Sequence, residues 1–408
     1  MQLNWLAYAI PLFLLLIGLE YWVSRAQRKT YFRFNESIAN LNVGIAERLL
    51  DLFIAGATYV FYAWLHQRFA LFEIRATIWS WVALLVMTDF VWYWYHRLGH
   101  EISLFWAAHV VHHQSEDFNY TVSARITVFQ AIVRTGFWSV LPIIGFPAGM
   151  VVSILLVHGL YAFFLHTRTV GKLGWLEYVL VTPSHHRVHH AVNPQYLDKN
   201  YGDVFIFWDK LFGTFAEEQE EPVYGLTKPL NSYSFLWQQF HFLLELLVAV
   251  RRTPGVVAKI RLLFGRPDGV DAGIRAELES RLLQQVPPAL NRGKFRGYVV
   301  GQLVGVLVLL FVFLLLERYI PGWAQGLVAV FVLLTLINMG ALLEQRRWVL
   351  HLELARLVVI WGLVYAVSGI QLLVVLAYIG GLSWWAYRAS IKRHYFQYLY
   401  GRVQPVPS

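Results

Sequence analysis

Eleven of the fifteen histidines lie between residues 96 and 190, most of them in compact groups. The first group is His96-Arg-Leu-Gly-His100, the second His109-Val-Val-His-His113, and the third His185-His-Arg-Val-His-His190. On a helix, positions i, i+3 and i+4 share a face, so His96 and His100, or His109, His112 and His113, can turn their imidazoles toward one point. His186, His189 and His190 repeat that spacing, with His185 beside them. Buried imidazoles need partners, and this many in one place would be costly without a cation to share. The chemistry these residues suit is metal binding. All-imidazole ligation serves zinc, copper, iron or nickel, and spacing alone does not choose among them. Eight or more ligands exceed the needs of one ion, so two ions are implied. A closed structural zinc site would use only four ligands, whereas a dinuclear, nitrogen-rich site with open positions fits oxygen chemistry at iron.

His158 and His166 lie eight residues apart, about 12 Å along a helix. His166 falls level with the three groups and is expected to be a further ligand. His158 falls deeper, in an apolar stretch, where a neutral imidazole hydrogen-bonded between helices is expected. Among the neighbouring carboxylates, Glu101 directly follows a group histidine and could bind metal, orient an imidazole or handle a proton. Asp198 could hold a ligand histidine in one tautomer. These two are the candidate catalytic carboxylates, while Glu116 and Asp117 suit capping or solvent roles.

The elements that must carry these residues are apolar. Of 408 residues, 57% are hydrophobic and 14% charged, and the mean hydropathy is +0.48. Soluble domains carry roughly 25% charged residues, so this chain is displaced toward lipid. Cysteine is absent, which excludes disulfides and thiolate metal sites. The net charge of +9 does not indicate nucleic acid, because the basic residues sit in short clusters beside apolar spans. Spans of about 20 residues are expected at Trp5 to Val23, Ile45 to Leu65, Ile78 to Tyr95, a hairpin within Ile126 to His166 turned at Gly145-Phe-Pro147, Tyr298 to Leu316, Trp323 to Leu343, and a pair within Leu350 to Tyr387. The expected fold is therefore an all-α integral membrane protein of about nine transmembrane helices with a cytoplasmic histidine-box domain.

The basic run Arg25, Arg28, Lys29 and Arg33 follows the first span and places that loop in the cytoplasm. Counting onward puts 96–125, 167–297 and 388–408 on the same side, with the amino terminus outside and the carboxyl terminus inside. The expected divisions are 1–77, amino-terminal helices; 78–220, the metal region; 221–297, a cytoplasmic interfacial helix around Phe235 to Val250 and a connector with Pro287-Pro288; and 298–408, the last helices. Short loops and the lack of an evident retention signal favour a bacterial inner membrane over endoplasmic reticulum.

The HxxxH, HxxHH and HxxHH pattern on a multi-span chain resembles the fatty acid hydroxylase/sterol desaturase superfamily. His96 through Glu101, His112-His-Gln-Ser-Glu-Asp-Phe-Asn119, Phe164-Leu-His-Thr167, Thr182-Pro-Ser-His-His-Arg-Val-His-His190, Asp198-Lys-Asn-Tyr201 and Trp208-Asp-Lys-Leu-Phe-Gly-Thr-Phe215 are similar to its alkylglycerol monooxygenase branch. The resemblance implies a diiron centre that activates dioxygen and hydroxylates a lipid beside an ether oxygen, with tetrahydrobiopterin as reductant. His96, His100, His109, His112, His113, His186, His189 and His190 match the box ligands, and Glu101 the acid after the first box. Ala162 departs from the branch, which carries glutamine there, and His158 is added one turn earlier. No glycine-rich dinucleotide fingerprint is present, so electrons are expected from a separate reductase or a diffusible pterin. The alternatives are hydroxylation of another lipid, such as an aminolipid acyl chain or a sterol-like molecule, and, more remotely, divalent-metal transport.

Overall fold

The computed structural model describes residues 4–283 and 293–401, and these are helical with only isolated β-bridges, Leu180 with Phe205 and Ala191 with Tyr224. The expected Pro287-Pro288 connector lies outside the described residues. In chain order the first helices are α1 (Ala9–Ala26), α2 (Phe34–Phe69), α3 (Ile78–Glu101), α4 (Ser103–His113), α5 (Tyr120–Ser123), α6 (Gln130–Trp138), α7 (Val140–Ile144) and α8 (Ala148–Leu165). Next come α9 (Pro183–His189), α10 (Phe207–Phe212), α11 (Phe235–Arg252), α12 (Val256–Phe264) and α13 (Ala272–Leu282), followed by α14 (Gly293–Leu316), α15 (Gly322–Leu343), α16 (Val349–Ser368) and α17 (Leu372–Tyr400).

Among the described residues, seven helices are long and apolar enough to cross a membrane: Trp5–Ala26, α2, α8, Gly293–Tyr319, α15, α16 and α17. Two expected spans do not qualify. α3 has the length, but its tryptophans, tyrosines and Asp89 dilute its apolarity. The first arm of the hairpin is broken, with α6 of 9 residues and α7 of 5. In contrast, α2 runs unbroken for 36 residues, about 54 Å and well beyond one bilayer core. Its first half is polar and buried: Asn40 Nδ2 donates to Thr121 Oγ1 at 2.9 Å, and Asn40 Oδ1 accepts from Arg125 at 2.9 Å. Its second half supplies the apolar span.

The chain divides into two compact units. The larger comprises Leu14–Leu230 and Gln238–Gln284 and contains every histidine group. One of its cores gathers Tyr62, Leu84, Trp138, Leu141 and Val151 around α3, α6, α7 and α8. Another packs Val43, Ala107, Val110 and Val111 against Phe242, Leu246 and Ala249 of α11, so α11 lays one face on the protein. In the smaller unit, α14 to α17 surround Glu353, which accepts from Tyr298 Oη at 2.6 Å, Asn338 Nδ2 at 2.7 Å and Gln302 Nε2 at 2.9 Å and pairs with Arg356 at 2.7 Å. That network satisfies a carboxylate that would otherwise be costly among apolar spans.

α2 can lie against the loop after α5 only because position 44 is glycine. A Cβ there would stand 2.6 Å from Ala124 Cβ and 2.8 Å from the Ala124 carbonyl oxygen, whereas one at Gly56 would meet nothing within 4 Å. Gly44→Ala is therefore expected to destabilise the protein by about 1–3 kcal/mol through overpacking, and Gly56→Ala to be neutral or slightly stabilising. Thermal unfolding of the two variants in detergent checks this, and equal behaviour would contradict the close approach.

Candidate metal centre

Four elements deliver the histidines. α3 begins at a Thr77/Ser80 capping box and carries His96 and His100 in its last turns. Ile102 is extended (φ −120°, ψ 122°), turning the chain into α4, which carries His109, His112 and His113. α8 stops at Leu165, and His166 leaves the helix (φ −84°, ψ 60°) with its Nδ1 2.8 Å from the Ala162 carbonyl oxygen. α9 starts on Thr182 as N-cap with Pro183 in its first turn and carries His185, His186, His189 and His190.

The rings gather into two groups: His96, His100, His109, His113 and His189 in one, and His112, His166, His186 and His190 in the other. Both helical boxes are therefore shared, with α4 and α9 each contributing to both groups. In the first group His113 Nε2 lies 3.1 Å from both His100 Nε2 and His109 Nε2. In the second, His166 Nε2 lies 3.1 Å from His112 Nε2 and 3.0 Å from His186 Nε2, and His190 Nε2 lies 3.2 Å from His186 Nε2. The groups abut, with His113 and His190 stacked at 4.4 Å between centroids.

The electrostatics suit metal. Burial holds His96 down to about 3 and His166 to about 4, and holds His109, His112, His113, His186, His189 and His190 well below the usual imidazole value. Burial also lowers His100. The rings are thus neutral ligands at physiological pH. Lone pairs that face one another at about 3 Å repel unless a cation lies between them. Five and four ligands would leave a six-coordinate ion in either group at least one open position. A cavity of about 430 Å³ reaches both groups, lined by His100, His113, His189 and His190 with Trp106 and Phe242. The residues present could hold metal ions in both groups, and their donor set is consistent with iron.

Other expected site residues fall differently. The structure does not bring His185 to either group. One helical step, about 100°, turns it away from His186, so its Nδ1 meets the Thr182 N–H at 3.3 Å and its ring packs on Phe215. Glu101 accepts from Arg97 Nε at 3.0 Å. Asp198 lies 3.7 Å from His100 Nδ1 and pairs with Arg266, and these two neighbours hold its carboxyl down to about 2. His158 bonds Asp203, Nδ1 to Oδ2 at 2.6 Å, and not a neighbouring helix. With Asp89 these two form a third close group. However, Asp89 accepts from the Val204 and Phe205 N–H groups at 2.8 and 3.1 Å and from Trp208 Nε1 at 3.0 Å, so this group is a hydrogen-bonded clamp. Arg125 is a further residue of the site that histidine spacing does not reveal. It is buried, its guanidinium donates to the Val111 carbonyl and to Asn40, both at 2.9 Å, and its own carbonyl accepts from His112 Nδ1 at 3.0 Å. A lone arginine in a loop carries no spacing signal.

Residues 81–214 match the fatty acid hydroxylase family. The chain is 33% identical to the alkylglycerol monooxygenase of Homo sapiens over 83% of its own length and 77% of that protein's. It is 32% identical to that of Danio rerio over 86% and 80%. The chain belongs to the fatty acid hydroxylase family, with the alkylglycerol monooxygenases among its relatives. The family region contains all nine converging histidines. A shorter similarity, 28% identity over 32% of this chain and 40% of the relative, is to the ornithine lipid hydroxylase OlsE of Rhizobium tropici. No solved structure matches.

The lowered imidazoles set a pH dependence. Above the unfolded value of about 6.5, the rings are neutral in both folded and unfolded chains and make no difference. Below it the unfolded chain binds protons first, so stability is lost as pH falls from 6.5 toward the folded values of about 3 for His96 and about 4 for His166. Metal-free protein should show a melting temperature that drops steadily between pH 6.5 and 4.5, and metal-bound protein a loss of stability at least as large, because ligated rings bind no protons in the folded state. A flat profile for the metal-free protein would contradict the buried, neutral rings.

Proposed function

We propose that this chain is a membrane-embedded diiron monooxygenase that hydroxylates a lipid, with alkylglycerol-type ether lipids as the substrate class. The observation that carries this reading is the convergence of nine neutral imidazoles, seven buried and two partly buried, into adjoining groups of five and four, in a chain similar over most of its length to alkylglycerol monooxygenases. His96, His100, His109, His113 and His189 would hold one iron; His112, His166, His186 and His190 the other. Bound iron would supply the activation of dioxygen. One oxygen atom enters a C–H bond next to the ether oxygen, and the other leaves as water with two electrons and two protons from a reduced pterin or a reductase. The resulting hemiacetal breaks to a fatty aldehyde and the glycerol alcohol.

The chain's own residues divide the remaining work. Burial keeps bulk water from the rings, and Trp106, Val110, Leu226 and Phe242 give the cavity an apolar wall. Arg266, Arg275 and Lys228 also line it, against Asp198, Asp268 and Glu245, so its charges balance and can orient a polar head. Asp198 steadies His100. Glu101 is proposed as the carboxylate that moves protons near the first group. An apolar cavity of about 550 Å³ lined by Phe90, Trp94, Phe137, Ile144 and Trp208 suits an alkyl chain. The proposed placement is a bacterial inner membrane with the amino terminus outside and the histidine groups and carboxyl terminus cytoplasmic.

Purified protein supplied with iron, dioxygen, tetrahydropterin and a 1-O-alkylglycerol should release fatty aldehyde. The similarity to an aminolipid hydroxylase provides the second reading, and a hydroxylated ornithine lipid with no aldehyde from the ether lipid would favour it. His113→Ala and His189→Ala should each lose bound iron and lower oxygen consumption by roughly two orders of magnitude or more, while still inserting in the membrane. Retained activity in both variants would overturn the ligand assignment.

A further inference from the structure

Resting on the two-metal reading above, we propose that residues 198–209 form a positioning strap that sets the orientation and tautomer of the five-histidine group alone, with Asp209, Asn200 and Asp89 as the residues that fix it. Three of the four positions 198–201 meet three of the five rings. Asp198 Oδ1 lies 3.7 Å from His100 Nδ1, the Lys199 carbonyl oxygen 2.9 Å from His189 Nδ1, and the Tyr201 carbonyl oxygen 2.8 Å from His96 Nδ1. An imidazole whose Nδ1–H donates to a carbonyl has its bare Nε2 on the opposite edge, available to metal. Nε2 of both His96 and His189 is buried without another partner. The four-histidine group draws its corresponding contacts elsewhere, His112 from the Arg125 carbonyl and His166 from the Ala162 carbonyl.

The strap has an unusual backbone that its surroundings enforce. Asp198 and Asn200 are left-handed, with φ of 57° and 55°, a region that asparagine and aspartate tolerate better than other non-glycine residues. The Asn200 side chain donates to the carbonyls of His185 at 3.1 Å and Ala216 at 2.7 Å and accepts from Ala216 N at 2.9 Å, while its own N–H reaches the Thr214 carbonyl at 3.0 Å. Asp209 Oδ1 accepts from Tyr201 N at 2.7 Å and Thr214 Oγ1 at 2.7 Å, and Oδ2 accepts from Gly202 N at 2.8 Å. Asp89 takes the next N–H groups, those of Val204 and Phe205. His158 holds Asp203. The far end pairs with 179–181 through Val181 N to Val204 O at 2.9 Å and Ile206 N to Val179 O at 3.1 Å. Gly202 fits because a Cβ would stand 2.8 Å from the Phe205 carbonyl oxygen and 2.9 Å from Asp209 Oδ2. Two fully buried aspartates, from α3 and α10, thus spend their oxygens mainly on this short segment.

Asp209→Asn keeps the shape but turns an NH₂ toward an N–H donor, which should loosen Tyr201 and its carbonyl. Asn200→Gly accepts the left-handed backbone while removing the side-chain bonds, and serves as the milder variant if Asp209→Asn folds poorly. Glu353→Gln, in the network of the smaller unit, controls for loss of a buried carboxylate as such. The full-length proteins are reconstituted with ⁵⁷Fe and read by iron content and Mössbauer spectroscopy, and the histidine tautomers of the metal-free proteins are read by ¹⁵N NMR. The strap predicts that Asp209→Asn, or Asn200→Gly, falls from two irons to one per chain and loses one iron signal while the other is unchanged. It also predicts that the Nδ1–H signals of His96 and His189 give way to mixed tautomers, with Glu353→Gln matching wild type throughout. Two irons with unchanged spectra and tautomers in both strap variants, or equal loss of both irons in folded protein, would overturn it. If wild type binds no iron yet the tautomers shift as described, the diiron reading fails and the strap stands.

Discussion

The repulsion among lone pairs at the centre of the larger unit constrains everything around it. Nine neutral imidazoles, seven buried and two partly buried, turn their Nε2 atoms inward, several only 3.0–3.2 Å apart. Hydrogen bonds cannot satisfy such an arrangement, because each N···N contact accommodates one proton and the outer nitrogens of His96, His112, His166 and His189 face backbone carbonyls. A shared cation resolves it. Arg125, itself held by Asn40 of α2, Ala162 of α8 and the loop after α9 bring carbonyls or side chains to the outside of the rings, so that the inside is left for metal.

The division of labour among helices follows from helical geometry. In an HxxHH sequence the first and last histidines lie one turn apart, while the middle one is displaced around the axis. α4 therefore sends His109 and His113 to one group and His112 to the other. α9 runs the same logic with the partners exchanged, giving His186 and His190 to the second group and His189 to the first. Two such helices facing each other build two adjoining sites from one repeated spacing. The stacked His113 and His190 rings at 4.4 Å mark the seam between them.

That the histidines would converge was legible in the sequence, because HxxxH and HxxHH spacing at helix ends is a direct geometric statement. His166 was legible too, from its depth relative to the groups. How the rings divide was not, since spacing alone does not say that α4 and α9 face each other across two sites. His185 looked like a ligand by adjacency, and the rotation of α9 removes it. The membrane character followed from composition, but Asp89 and the aromatic residues of α3, and the break between α6 and α7, blur the boundary between spanning and packed helices. Arg125, Asn200 and Asp209 were not legible. Each acts through backbone carbonyls or N–H groups supplied by distant residues, and such contacts leave no periodic trace.

The family match spans residues 81–214, and both groups of rings lie within it. The most direct test of two metal sites is anaerobic titration of the metal-free, full-length protein with ferrous iron, read by the iron that stays bound per chain once free metal is removed. Bound iron should saturate with a break at two equivalents per chain. A break at one equivalent, or no saturable response, would contradict it.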